Sequence, residues 1–410
     1  MLPNSAAAHD VRLQTPHSLY LFLGKPPLWT PPVVTPQLRQ DSGSYLRDKN
    51  AARYPKHPIE PAVVACLRAD PQLPNNVDLV ACSSTLGSLL RFIREEDKQF
   101  RMLVEKLKNT VFLIRRENSP TELIPDVRGF GHTFPEAYTT WEPDAGGSDT
   151  HTRLLRYKFG GLNLVVRYGA DGYIKDSTAE PAVTQSPATD IKGKSTSIDD
   201  LTSALSGISV SSALPNPESA LRVEPAGTIV VQKHTFDLKT RSIYTKGKKD
   251  HLADELPRLW LTQTPNFILA YHTQGYFSPG DIQIRDVRPD VEHWEKSESG
   301  QLGRLAALVH QIVELVSDAP HNKLELRCHE AGMLEVREQL PDAGGVLSDE
   351  VRVRWEATPG PVVEGPYLVE DWSSEDGNYD DYYREWDEES EKDFTACSAD
   401  DCGYCGHCDY

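Results

Sequence analysis

From Asp176 to Ser219 the chain carries no aromatic residue and is dominated by Ser, Thr, Ala, Pro and Asp. Such a composition cannot bury enough apolar surface to offset the entropy of ordering it, so the sequence predicts a disordered insertion here. The position of this stretch constrains everything else, because any sheet must be assembled from strands on either side of a long excursion. On its N-terminal side, residues 153–159 and 162–168 read as a hairpin about Gly160-Gly161, with Asp171 just past the second strand. On its C-terminal side, residues 228–242 (TIVVQKHTFDLKTRS) read as a strand, opened by Val230 and Val231 and alternating in polarity from Phe236. Excising the insertion makes the two acid-bearing strands candidate sheet neighbours.

Positions two apart on a strand share a face, so Asp237 and Lys239 point one way while Phe236 and Leu238 point into a core. A carboxylate and an ammonium held side by side suit metal-dependent phosphodiester hydrolysis. The carboxylate would fix a divalent cation, and the lysine would orient the attacking water or stabilise developing charge. The same tripeptide is also compatible with a surface ion pair on an ordinary strand.

At 410 residues the chain is long enough for a substantial core with appendages. No apolar run approaches the roughly 20 residues of a membrane span, and the N-terminus lacks a charged start followed by an apolar stretch, so an intracellular protein, nuclear or cytoplasmic and without membrane contact, is expected. The net charge of -18 would argue against a nucleic-acid partner if it were spread evenly. It is concentrated: residues 364–410 hold 16 acids against Arg384 and Lys392, so the body is close to neutral.

Along the chain, residues 1–60 are Pro-rich and polar and read as an extended N-terminal segment, with residues 19–23 as an edge strand. Residues 61–345 carry the periodicities of an α/β (α+β) core: a mixed central β-sheet flanked by helices. A helix is predicted over 61–69, a strand over 78–82 and a helix over 85–94. A hairpin over 101–117 turns at Lys108-Asn109. A short helix ends near Trp260, and strands follow over 266–271 and 282–287. Leu302, Leu305, Val309, Ile312 and Val316 form one face of a long helix, and a hairpin over 324–336 closes the sheet. Residues 346–396 read as an acidic linker and 397–410 as a Cys-rich tail.

Glu136, Asp171 and Asp237, then Lys239, then a helix carrying Gln263, follow the order of the PD-(D/E)XK nuclease superfamily, which the chain resembles. Within it, the chain is similar to the DXO-type family of RNA 5'-end decapping and pyrophosphohydrolase enzymes, over residues 78–338. DLVACSSTLGSLL looks like that family's strand-to-helix entry, GHTFPE its glycine-to-glutamate motif, RYGAD its Glu-x-Asp, FDLKTR its Glu-apolar-Lys and LWLTQ the helix bearing a substrate glutamine. The resemblance implies Mg²⁺ or Mn²⁺ held by Glu136, Asp171, Asp237 and the Leu238 carbonyl, with Lys239 assisting catalysis and Gln263 contacting substrate or a metal-bound water. Arg241, Lys246, Lys248 and Lys249 would track a phosphate backbone, or form a solvated loop.

The departures are Ser83, where the family has an arginine, and Gly169, where it has the glutamate of Glu-x-Asp. Losing both charges would weaken metal and substrate binding by several kcal/mol in sum. Two functions therefore stay open: a metal-dependent hydrolase acting on RNA 5' ends or other nucleic acid, or a degenerate nuclease-fold module that binds nucleic acid or a protein partner. The chain is also similar to filamentous-fungal proteins labelled geranylgeranyl pyrophosphate synthetase. Prenyl transfer needs paired Asp-Asp-x-x-Asp clusters, and the nearest candidate, Asp380-Asp381-Tyr382-Tyr383-Arg384, ends in Arg, so that activity is rejected.

Cys397, Cys402, Cys405 and Cys408 give the spacing C-x4-C-x2-C-x2-C, which satisfies tetrahedral Zn²⁺ or an iron-sulfur cluster. The acidic tail before them offers a docking element for a basic protein partner. Cys66, Cys82 and Cys328 read as reduced core residues.

Overall fold

The computed structural model describes residues 20–22, 24–96, 98–124, 127–148, 150–175, 221 and 227–357. The insertion over 176–219 and the cysteine tail over 397–410 lie outside the described residues.

Two mixed sheets organise the chain. The larger has eight strands in the order Tyr20–Phe22, Thr152–Phe159, Leu162–Gly169, Leu79–Cys82, Thr110–Arg115, Phe100–Leu107, Lys323–Glu330 and Met333–Arg337. Three of its antiparallel pairs are the hairpins read from the sequence. Tyr20–Phe22 with Thr152–Phe159, and Phe100–Leu107 with Lys323–Glu330, are antiparallel pairs between distant segments. Leu79–Cys82 enters in parallel with both its neighbours. One face packs against the helices Ser83–Ile93, His251–Thr262, Arg288–Ser297 and Ser299–Asp318, whose apolar residues share one buried cluster with the strands. The opposite face packs against the helices Glu60–Ala69 and Asp349–Glu356, where the Trp355 ring meets Phe112 edge-on at 5.3 Å. The body thus runs past residue 345, because Val346, Leu347, Val351 and Trp355 supply part of this layer.

The smaller sheet has six strands in the order Ile282–Asp286, Asn266–His272, Thr235–Ser242, Gly172–Tyr173, Leu28–Trp29 and Thr139–Thr140. Thr235–Ser242 runs parallel to Asn266–His272 and antiparallel to Gly172–Tyr173, with Gly172 opposite Phe236. Asp171 lies in the short link where the chain leaves the larger sheet for the smaller one. Gly172 is required by close approach: a Cβ there would meet the Phe236 ring and would lie 2.8 Å from the Pro27 carbonyl oxygen.

The strand predicted over 228–242 begins at Thr235. Residues 232–234 form a turn of 3₁₀ helix, because the buried Gln232 side chain donates to the Tyr168 hydroxyl at 2.5 Å and to the Thr262 carbonyl at 3.0 Å. Among the described residues, no helix is long and apolar enough to cross a membrane.

Candidate functional site

Alternation along Thr235–Ser242 separates two chemistries, as the period of two predicts. Phe236 and Leu238 join Ile268 and Ala270 on one face, against Phe130, Phe134, Tyr138 and Phe277. The other face carries Asp237, Lys239 and Arg241. These stand in register with Phe267, Leu269 and Tyr271 of the adjacent strand, which pack on Leu252 and Leu259 of the helix His251–Thr262. The polar face is therefore covered by a helix. Asp237 and Lys239 are each 4% exposed, so the sequence reading of a pair on an open sheet surface is corrected.

The covering helix starts at Asp250, whose carboxylate accepts from the Leu252 and Ala253 N–H groups at 3.1 Å. It then presents Glu255 and Arg258, one turn apart, to the strand. The Arg258 guanidinium pairs with the Asp237 carboxylate. Glu255 lies 3.5 Å from Arg241 and 3.4 Å from Arg258. All four side chains are buried. Beside them, Asp171 accepts the Leu238 N–H at 2.7 Å, which ties the link between the sheets to the central strand.

Asp171 and Asp237 are thus brought to one place, and Lys239 lies on the same strand face as Asp237. Two expected members, Glu136 and Gln263, are not. Glu136 sits on the short helix Thr133–Tyr138, whose Phe134 and Tyr138 pack on the opposite face of the smaller sheet; its own side chain is exposed. Gln263 caps the covering helix in a left-handed conformation (φ 49°), and its side-chain amide donates back to the Trp260 carbonyl. Leu238 engages the site through its N–H to Asp171.

The expected phosphate-tracking cations also divide. Arg241 is buried against Glu255. Lys246 pairs with Asp281 at 2.6 Å and Lys249 with Asp254 at 3.2 Å, while Lys248 is exposed. Burial raises the Asp254 carboxyl above its ordinary value, against the opposing pull of Lys249.

A divalent cation does not fit this arrangement. Three buried carboxylates, Asp171, Asp237 and Glu255, share the region with three buried cations, Lys239, Arg241 and Arg258, so positive charge is already supplied by the chain. Among the described residues, no three His, Cys, Asp or Glu side chains gather so as to hold a metal ion. Arg258 is the residue that sequence reasoning missed. The usable signal was Glu255 and Arg258 lying on the same helix side as Leu252 and Leu259.

The family model described as "Domain of unknown function (DUF8563)" matches residues 6–334. No curated protein matches. The solved structures similar to this chain include Rai1 and Dxo1 proteins, representatives of the DXO-type family that the sequence resembles. A mutant S. pombe Rai1 in complex with 3'-FADP is 10% identical, with a TM-score of 0.48 over 82% of this chain and 96% of that chain. Scheffersomyces stipitis Rai1, in complex with (3'-NADP)+ and calcium ion, is 12% identical, with a TM-score of 0.48 over 81% of this chain and 88% of that chain. Candida albicans Rai1, in complex with pU5-Mn2+, is 9% identical, with a TM-score of 0.47 over 86% of this chain and 99% of that chain.

Proposed function

The chain belongs to the DUF8563 family, and we propose that it is a non-hydrolytic binding module that engages nucleic-acid 5' ends without a divalent metal. The ligand class comes from the order of motifs in the sequence. The loss of hydrolysis comes from the site, and one observation carries it: Arg258 is paired with Asp237 inside the layer between strand and helix. A carboxylate already compensated by a guanidinium has little left to offer a cation, and the arginine's bulk takes up room that a metal with its waters would need. Ser83 and Gly169 point the same way, since both stand where the resemblance asks for charge.

In this reading Asp171, Asp237 and Glu255 hold the strand, the helix and the link between the sheets together, and Lys239 and Arg241 balance their charge. None of them moves a proton. The cysteine tail would hold zinc or an iron-sulfur cluster independently of this centre, and the acidic segment before it would dock a basic protein partner.

The test is direct. Purified chain is incubated with Mn²⁺ or Mg²⁺ and 5'-triphosphate or capped RNA, and Mn²⁺ is titrated calorimetrically into the same sample. No product and no saturable Mn²⁺ binding are expected, while a fluorescent single-stranded RNA binds with salt-dependent affinity. Product release that is abolished by Asp237→Ala would overturn the reading and restore a metal-dependent hydrolase.

A further inference from the structure

The helices Ser83–Ile93 and His251–Thr262 pack together on the larger sheet, but where the end of the first meets the start of the second they leave a cavity of about 200 Å³. Two residues that helix interiors disfavour make the room: Gly87, which has no side chain, and Pro257. Leu90 and Ala253 complete the apolar walls. Proline has no N–H, so the Ala253 carbonyl, one turn earlier on the same helix, lacks its usual donor and stands as an acceptor on the cavity wall. Charged groups line the same space. Lys249 meets the Oδ2 of Asp254 at 3.2 Å, and Arg94 meets Glu96 through its Nε at 3.2 Å. A carboxylate has a second oxygen and a guanidinium two further nitrogens, so both keep bonding capacity. Arg91, 6% exposed, adds a second guanidinium, oriented by donation from its Nη2 to the Ser88 hydroxyl at 3.1 Å.

Donors thus come from the side of one helix and acceptors from the other, between apolar walls. A phosphate would meet Asp254 and Glu96, and a metal ion would meet two arginines, so neither suits the cavity. A heteroaromatic base, with donors on one edge and acceptors beside them, suits it. We infer that the cavity takes a guanine base, its N1–H and N2–H₂ on the Asp254 carboxylate and its O6 and N7 facing Arg94. Adenine has no such pair of adjacent donors. The volume equals that of about six or seven waters at about 30 Å³ each, room for one base and not for its sugar and phosphate. Those would stay outside, on the side of the loop that carries Lys248 and Lys249. This inference deepens the proposed function and rests on it for the source of the base, a nucleic-acid 5' end.

Calorimetric titration of the full chain with guanosine, adenosine and xanthosine monophosphates decides the matter. The guanosine nucleotide is expected to bind saturably, and the adenosine nucleotide about tenfold more weakly or worse. Asp254→Asn exchanges one acceptor for a donor, so it should weaken the guanosine nucleotide about tenfold and favour the xanthosine nucleotide, whose O2 replaces the N2–H₂ group. A merely structural role for Asp254 would not produce that exchange of preference. Ala253→Trp fills the cavity from an exposed position and should abolish binding at unchanged Tm. Absent guanosine nucleotide binding, equal binding of the guanosine and adenosine nucleotides, Asp254→Asn without the gain for xanthosine, or Ala253→Trp without effect would each overturn the inference. Fluorescent RNA is titrated separately. RNA binding without guanosine nucleotide binding sinks this inference alone, and the reverse sinks the proposed function alone.

Discussion

Arg258 and Asp237 form an ion pair between a helix and a strand, with both side chains almost fully withdrawn from solvent. Removing one member leaves a charge in a place with little water. Arg258→Met or Asp237→Leu alone is expected to destabilise the fold by about 3 to 5 kcal/mol, while the double change Arg258→Met/Asp237→Leu costs much less than the sum of the two. Urea unfolding of the four proteins of the cycle measures this. A purely additive cycle would show that the contact carries no coupling.

The turn at Glu142 and Asp144 binds Lys25, Tyr173, Lys175 and Thr228. It thereby clamps the N-terminal segment to both stems of the insertion. Burial alone would raise the Glu142 carboxyl, but hydrogen bonds from Tyr173, Lys25 and Lys175 outweigh it and hold the group at about 2. A carboxyl depressed on folding contributes stability above its unfolded value, and that contribution is lost as pH falls toward the folded one. The wild-type Tm should therefore drop between pH 5 and pH 2 more steeply than that of Glu142→Gln. Parallel Tm profiles would rule the clamp out.

Gly172 meets the Phe236 ring and the Pro27 carbonyl where the smaller sheet is tightest. Gly172→Ala should cost about 1 to 3 kcal/mol through overpacking. Gly161, whose added Cβ would meet nothing within 4 Å, is the comparison for the loss of an unusual backbone conformation, since it has φ 87°. Chemical denaturation separates the two effects. Gly172→Ala with Phe236→Leu should recover part of the loss, and Gly161→Ala with Phe236→Leu should not.

Lys248 is solvent-exposed and Arg241 is not. Lys248→Glu should weaken RNA binding and flatten its dependence on salt. Arg241→Ala should act mainly on stability by leaving the buried Glu255 with Arg258 as its one remaining guanidinium among the two that pair with it. Fluorescence anisotropy at two salt concentrations, alongside thermal unfolding, distinguishes the roles. An RNA defect in Arg241→Ala at unchanged Tm would contradict this division.

The sequence made the elements legible where periodicity was strong: the hairpins about Lys108-Asn109 and Gly160-Gly161 and the long helix with Leu302, Leu305 and Val309 stand where their spacing puts them. Asp171 does come beside the strand of Asp237, but not through the sheet pairing expected. The strand Leu162–Gly169 stays in the larger sheet, and Thr235–Ser242 belongs to the smaller one. The short strand Gly172–Tyr173, which has too few residues to show a periodicity, makes the pairing across the insertion. What was hidden depended on layers. Alternation says that Asp237 and Lys239 share a face, but not whether a helix covers that face, and Glu136 fell on the other side of the sheet for the same reason. A lone arginine on a helix carries no motif, so the identity of the partner of Asp237 waited on three dimensions.

The strand Thr235–Ser242 lies between an aromatic layer and an ionic one. Its charges therefore cannot drift singly in evolution. In relatives, positions 237 and 258 should change together, as should 241 and 255, with a lost acid accompanied by a lost base, while the aromatic side is free to trade one ring for another.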